Sequence, residues 1–315
     1  MFKGQQGGDF SSNPPQLTID EQAGIVPIVS TESKVVDKTT SQIYPQTNEI
    51  HPVIPTDTRQ RHSLGMNPDL DTGTFNLQLT NLDKYRQQWN ENRAVNIIDL
   101  FPETQVNTLH DYYFNKSDDW WDLILYPDPD FDYEQSAIDN PSYYHMYRTK
   151  SNDPSIPQRR EHCHNLNNQG SFSYIYRRSN ELSVQLHSYL KIFQDKRFLD
   201  YLSSITGYED LQYNEGSTFL SNYGPGDYNG PHTDGTNGRI AFVFHMTKDW
   251  KPEMGGLFMR MDWDWKTVNK VISPPFNALS IFDTKWQDKE GSPHLVSEVA
   301  QGITNKRLSY TGWYK

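Results

Sequence analysis

From residue 211 to the C-terminus the chain breaks into short apolar runs divided by Gly, Pro, Asn and Asp. The runs are STFLSNY, DYNGPHTD, RIAFVFHMT, GLFMRM, VNKVIS, ALSIFDT, HLVSEVA and RLSYTGWYK. Each has the length of a strand and is bounded by turn-forming residues. Eight strands between 211 and 315 fit a two-sheet jelly roll or barrel, and the expected fold is mainly β with supporting helices around a double-stranded β-helix (cupin-like jelly-roll) core.

The residues before this core read differently. NLDKYRQQWNENR has a helical pattern, AVNIIDL follows as a strand, and PETQVNTLHDYYF predicts a helix with Pro102 in its first turn and Val106, Leu109 and Tyr113 on one face. NELSVQLHSYLKIF and DKRFLDYLSSITG predict two more helices, the second closing at Gly207. The segment 116–160 is aromatic, acidic and Pro-containing. It reads as loops that rim a pocket or as packed aromatics, and 116–165 is the candidate for substrate loops. Residues 1–75 are rich in Gln, Thr, Ser, Pro and Asn, a composition that buries too little to offset chain entropy. The expected organisation is an extended or disordered polar arm over 1–75 and a single domain over 76–315. That domain divides into helical support and substrate loops (76–210) and the jelly-roll core (211–315). An apolar fraction of 35% and a mean hydropathy of -0.82 fit a chain whose first part stays unpacked.

Charge and cysteine content exclude several classes. A formal net charge of -11 without clustered Lys or Arg argues against a nucleic-acid surface. The single cysteine, Cys163, rules out an internal disulfide framework and Cys-rich metal modules. With no long apolar run and no signal-like start, the expectation is a soluble, cytoplasmic protein without membrane partners. The HCH run at 162–164 offers too few ligands for zinc and reads as a loop.

The chemistry concentrates in NGPHTDGTNGR, residues 229–239. On a strand, His232 and Asp234 project from the same face and can meet at one point inside a barrel mouth. With 10 His and 27 Asp in the chain, one His-x-Asp arises by chance, so the pair carries weight only with a third ligand. His294, at the head of the seventh predicted strand, can supply it. Two histidines and a carboxylate form the facial set that leaves open positions on iron(II), although zinc accepts the same ligands. Arg307 follows on the last predicted strand, where a buried guanidinium would need an anion such as a carboxylate. A solvent-exposed strand arginine, or one paired to a structural acid, remains the alternative, and Lys306 is a rival for the carboxylate.

These residues and their surroundings resemble the iron(II) and 2-oxoglutarate-dependent dioxygenases, and within them the prolyl-hydroxylase branch of hypoxia-sensing and collagen-type enzymes. The resemblance rests on Tyr223 separated by eight residues from HTD, GRIAFVFHMTKDWKPEMGGLF from Gly238, SPHLVSEV around His294, and RLSYTGW from Arg307. It implies that His232, Asp234 and His294 hold iron(II). It further implies that Arg307 holds the distal carboxylate of 2-oxoglutarate and that Tyr223 touches the cosubstrate. His245 stands where hypoxia-type members carry a tyrosine with a carboxylate-binding role, and Arg239 and Trp313 match positions on the substrate side. The implied reaction consumes O2 and 2-oxoglutarate, with ascorbate as an optional reductant, hydroxylates an unactivated carbon and releases succinate and CO2. Because Asp234 retains the acid, hydroxylation is favoured over halogenation. The implied substrate is a prolyl residue in a protein or peptide. A free amino acid, a small metabolite, a zinc hydrolase and a non-catalytic jelly-roll binding module are the other readings.

Overall fold

The computed structural model describes residues 81–129, 146–181, 189–234, 237–285 and 292–315. The polar arm expected over 1–75, residues 182–188 of the predicted helix NELSVQLHSYLKIF and part of the candidate substrate loops lie outside the described residues.

The helices form where their apolar spacing lets one face be buried. α1 (Leu82–Asn92) buries Tyr85 and Trp89, four residues apart, and ends where Arg93 turns left-handed with φ 49°. It leads into β1 (Ala94–Ile97). α2 (Glu103–Phe114) begins directly after Pro102, and Val106, Leu109 and Tyr113 are on its buried face as the periodicity predicts. α3 (Ile156–Asn168) contains the HCH run, so the loop expected there is a helix, with Cys163 buried and His164 packed against the Tyr228 ring at 5.1 Å. Its Pro157 sits in the first turn, where a missing N–H costs nothing. In α4 (Lys196–Thr206) the Asp195 carboxylate accepts the Arg197 N–H at 2.8 Å, and Gly207 closes the helix at φ 73°.

The strands are β2 (Asp122–Tyr126), β3 (Tyr147–Thr149), β4 (Tyr174–Ser179), β5 (Phe219–Tyr223), β6 (Tyr228–His232), β7 (Ile240–His245), β8 (Phe258–Met261), β9 (Val268–Ile272), β10 (Ala278–Asp283), β11 (His294–Val296) and β12 (Arg307–Tyr314). β5, β12, β7 and β10 lie side by side, and β6, β11, β8 and β9 form a second group. From β5 to β12 the chain crosses repeatedly between the groups, which is the winding of a double-stranded β-helix. All eight strands expected in the C-terminal third are present. β4 joins the groups by pairing with β5 through Arg177–Ser179 and with β6 through Tyr174 and Ile175. β1 extends the first group beside β10.

Strand alternation then sorts side chains between two cores. Leu220, Phe242, Phe244, Leu279, Leu308 and Tyr310 face the helices and pack with Trp89, Leu109, Phe198 and Leu202. Each large apolar side chain buried there contributes about 1.5–3 kcal/mol. The alternate positions, Phe219, Tyr223, Ala241, Phe282 and Trp313, line the barrel with Phe258 and Val296 from the second group. α3 covers the outside of the barrel through Cys163 against Leu125, Ile175 and Tyr228.

Candidate metal centre and anion pocket

β6 and β11 pair with His232 directly opposite His294, so two imidazoles leave neighbouring strands side by side with ring centroids 4.2 Å apart. Asp234 stands just past the end of β6 and brings Oδ1 to 3.8 Å from His232 Nε2 and 3.6 Å from His294 Nε2. The ligand atoms of the three residues lie within 4.8 Å of one another. Strand alternation therefore delivers both histidines, while the acid comes from the following loop.

The backbone fixes the imidazole tautomers. His232 Nδ1 is 2.8 Å from the Gly230 carbonyl and His294 Nδ1 is 2.7 Å from the Ser292 carbonyl. A carbonyl can only accept, so both Nδ1 atoms carry the proton and each neutral ring keeps its lone pair on Nε2, the atom turned toward Asp234. Burial, reinforced by the neighbouring His294, pushes His232 down to about 4, which keeps its ring neutral around pH 7. Asp234 Oδ2 is buried with no hydrogen-bond partner among the described residues. Leaving a buried acceptor without a donor costs about 1–3 kcal/mol, more when it is charged, and a cation beside it would remove that cost. Two imidazoles offering Nε2 and a carboxylate on one side fit a divalent transition metal with coordination positions to spare.

A second feature lies along β12. Arg307, Ser309, Thr311 and Trp313 alternate on the inner face, with Arg307 opposite Tyr223 and Ser309 opposite both Ser221 and His245. The Arg307 guanidinium is buried, its centre is 5.0 Å from the Tyr223 ring centroid, and its Nε–H donates to the Gly256 carbonyl at 2.7 Å. It meets no carboxylate among the described residues, and burial lowers its pKa. Gly256 gives it room: its φ is +60°, and a Cβ there would stand 2.8 Å from Arg307 Cδ. His245 is fully buried, with Nε2 2.9 Å from Ser280 Oγ and Nδ1 without a partner. Burial, and secondly the Arg307 charge, hold its pKa well below the usual imidazole value. Burial pushes the Tyr223 phenol well up, so it stays protonated.

The remaining sequence candidates separate clearly. Lys306 donates from Nζ to the carbonyls of Phe114 at 3.0 Å and Lys116 at 3.1 Å, closing the end of α2, so it is not available as a rival to Arg307. Trp313 belongs to the barrel lining, 6.1 Å from Phe219. Arg239 is exposed and lies 3.6 Å over the ring of Tyr208, whose hydroxyl bonds Asp283. None of its recorded contacts joins it to the histidines or Asp234.

Sequence reasoning missed the inner face of β4 and Phe172, two residues before it. Phe172, Tyr174 and Tyr176 form an aromatic row running from His232, whose ring is 5.6 Å from Phe172, to Tyr223, which stacks on Tyr176 at 5.3 Å. Arg178 continues the row. The signal was the period-two alternation in SFSYIYRRS, with an aromatic or basic residue at every second position.

A triad that could hold a metal in a double-stranded β-helix, and a buried arginine on its last strand that meets no carboxylate among the described residues, now stand together. The barrel is similar to the 2OG-Fe(II) oxygenase superfamily. The family model matches residues 218–315, which span all eight core strands. The cofactors of this oxygenase barrel are accordingly iron(II) and 2-oxoglutarate, and His232, Asp234 and His294 supply a fitting iron site. Solved structures similar to the chain include a prolyl-4-hydroxylase from Pseudomonas putida, at 14% identity and TM-score 0.43, covering 75% of this chain and 98% of that one. Another is a prolyl hydroxylase from Trichoplax adhaerens in complex with a hypoxia inducible factor oxygen degradation domain peptide fragment, at 16% identity and TM-score 0.42, covering 78% and 94%. A third is the viral collagen prolyl hydroxylase of Paramecium Bursaria Chlorella virus-1 as its 2OG complex, at 13% identity and TM-score 0.40, covering 71% and 97%. No curated protein matches the chain. Among the described residues, no helix is long and apolar enough to cross a membrane.

Proposed function

We propose that the protein hydroxylates a prolyl residue of a protein or peptide, with His232, Asp234 and His294 as the iron ligands. Bound iron(II) and 2-oxoglutarate supply the oxidation: O2 gives one oxygen atom to the substrate carbon as hydroxyl and the other to succinate, with loss of CO2. The chain's own residues hold and shield these groups. His232 and His294 offer Nε2 because their Nδ1–H groups are committed to backbone carbonyls. Asp234 adds the negative charge that favours a cation in a buried setting. Arg307, whose Nε–H is committed to Gly256, would hold the distal carboxylate of 2-oxoglutarate through its remaining N–H groups, with Tyr223 and His245 beside it as neutral donors. No side chain need act as general acid or base for the C–H step, because the cofactors carry that chemistry.

The observation that carries the oxygenase reading is the pairing of the triad with Arg307, a buried guanidinium that meets no acid among the described residues. The prolyl assignment rests on the likeness of TKDWKPEMGG, residues 247–256, to hypoxia-type sequences. Trp313 on the barrel lining supports a substrate-side role for that residue, whereas Arg239, stacked on Tyr208, would reach a substrate from the rim. The test has two stages. Anaerobic addition of iron(II) and 2-oxoglutarate should produce the weak visible charge-transfer band of the chelate. Aerobic incubation with prolyl peptides should then give hydroxyproline and an equal amount of succinate. A band without peptide hydroxylation, together with turnover of free amino acids, would move the substrate to the small-molecule alternative.

A further inference from the structure

On the inner face of β4, Arg178 follows Tyr174 and Tyr176 at two-residue spacing, and its side chain is 7% exposed as a residue. Its guanidinium lies 4.0 Å over the ring of Phe219, and its Nε–H donates to the Asn180 side-chain oxygen at 3.2 Å. No carboxylate neutralises it among the described residues. The acid opposite it in register, Asp122, is committed to Arg148 and to Lys150 at 2.7 Å. On the other side of Phe219 stands Trp313, whose Nε1–H is buried and has no acceptor among the described residues. Phe219 thus separates two donors that lack a matching acceptor, one cationic and one neutral, on the same wall of the barrel. A buried guanidinium is costly unless an anion meets it. Arg307 has its anion assigned in 2-oxoglutarate, and Arg178 does not.

We propose that Arg178 is the specificity residue of this active site and receives a carboxylate of the substrate. Resting on the prolyl-peptide reading, the inference names the substrate class as peptides with an Asp or Glu side chain near the hydroxylated proline. The Phe219 face sets the plane of the guanidinium, Asn180 holds its Nε, and the two terminal nitrogens are left to form a fork with the acid. The indole N–H of Trp313 supplies a further donor on the same wall.

The experiment uses the full chain loaded with Mn(II) and 2-oxoglutarate, which permits binding without turnover. The probes are fluorescently labelled, N-acetylated and C-amidated prolyl peptides in which Glu is scanned across the two positions on either side of the proline, each with a Gln counterpart. At one position or more the Glu peptide should bind at least about tenfold more tightly than its Gln counterpart, as a charge-assisted pair predicts. Arg178→Gln should erase that difference, and Arg178→Lys should retain part of it, with the iron–2-oxoglutarate band showing that each variant is folded. Equal affinity for Glu and Gln peptides at every position, binding of neither, or a preference that survives in Arg178→Gln would overturn the proposal. The wild-type comparison stands alone if the variant does not fold. Failure of the prolyl reading looks different: Glu peptides would bind through Arg178 yet yield no hydroxyproline with iron(II) and O2.

Discussion

Arg307→Met separates a ligand-binding arginine from a structural one by the sign of its effect on stability. In the protein without cosubstrate, Arg307 is a buried cation whose one recorded protein hydrogen bond runs to the Gly256 carbonyl. Methionine keeps an unbranched chain against Tyr223 and removes the desolvation penalty, which for a buried ion amounts to several kcal/mol on the order-of-magnitude scale. It also leaves the Gly256 carbonyl without its donor, a cost of about 1–3 kcal/mol. The two terms nearly cancel, so the melting temperature without cosubstrate should stay level or rise. Cosubstrate reverses the comparison. At a hundred times its Kd, 2-oxoglutarate stabilises the iron-loaded wild type by about 2.7 kcal/mol, or about 5–10 °C for a domain of this size. Without the bidentate carboxylate contact the variant should bind at least about a hundredfold more weakly, equivalent to about 2.8 kcal/mol. At the same concentration it should gain almost nothing. Thermal unfolding with and without 2-oxoglutarate, anaerobically on iron(II) protein, gives all four values. Destabilisation of the cosubstrate-free variant by about 3–5 kcal/mol, the signature of a broken buried ion pair, would refute the reasoning. Unchanged affinity for 2-oxoglutarate would do the same.

Four further outcomes follow from the same geometry. Asp234→Ala should lose bound iron on gel filtration and all hydroxylation while the metal-free fold keeps its stability, because Oδ2 has no protein partner to lose; full activity would remove the iron assignment. Lys306→Met should cost about 1 kcal/mol by uncapping α2 and leave the affinity for 2-oxoglutarate unchanged. Asp227→Asn should lower stability by about 3–5 kcal/mol, because the buried carboxylate bridges Arg160 at 2.6 Å and Arg177 at 2.8 Å. His245, whose folded pKa is depressed, stays neutral in the fold while the unfolded chain gains a proton below about pH 6.5. Its contribution is therefore fully present above that pH and is lost as pH falls, with a slope approaching about 1.4 kcal/mol per pH unit. His245→Gln should flatten the stability profile between pH 5 and 6.5 by about one proton, and an unchanged slope would count against a neutral buried His245.

Legibility in the sequence followed the physics of each element. The eight barrel strands were readable because their apolar runs are local and each is closed by turn chemistry. His232 and Arg307 were readable because short motifs fix them to strand positions. β2, β3 and α3 were not. DDWWDLILYPDPDFDY mixes acids and aromatics in a way that suits a loop rim, yet Leu123, Ile124 and Leu125 are buried and Asp122 is satisfied by Arg148 and Lys150, side chains that come from some 26 residues away. α3 was hidden because Arg159 is one of its two buried residues. Its charge is met by Asp128 and its guanidinium lies 3.5 Å over Tyr147, contacts that no helical periodicity can reveal. The β4 alternation was visible in principle, but its meaning depends on which face of the strand closes the barrel, and that is set by pairing with β5 and β6.

The buried charges show why the functional reading and the stability of the fold can be argued together. Arg159 meets Asp128, and Asp227 meets two arginines. Asp283 accepts from the Tyr208 hydroxyl and the Lys285 amide, and Arg260 donates to the Asn92 carbonyl and to Asn269. Away from the barrel wall, several buried donors without partners among the described residues are neutral aromatic tips, such as Trp89, Trp121 and Tyr201, whose cost is the modest one of a neutral group. Charged groups left short of a counter-charge or a donor fall elsewhere. Asp234, Arg307 and Arg178 all belong to the inner lining or mouth of the barrel, where an iron ion, a dicarboxylate and an acidic substrate would each complete one of them. A fold selected only for stability would have paired or replaced these residues. Their placement around one barrel interior, on β12, on β4 and just past β6, is what ties the anion pocket, and by the same argument Arg178, to the chemistry at the triad.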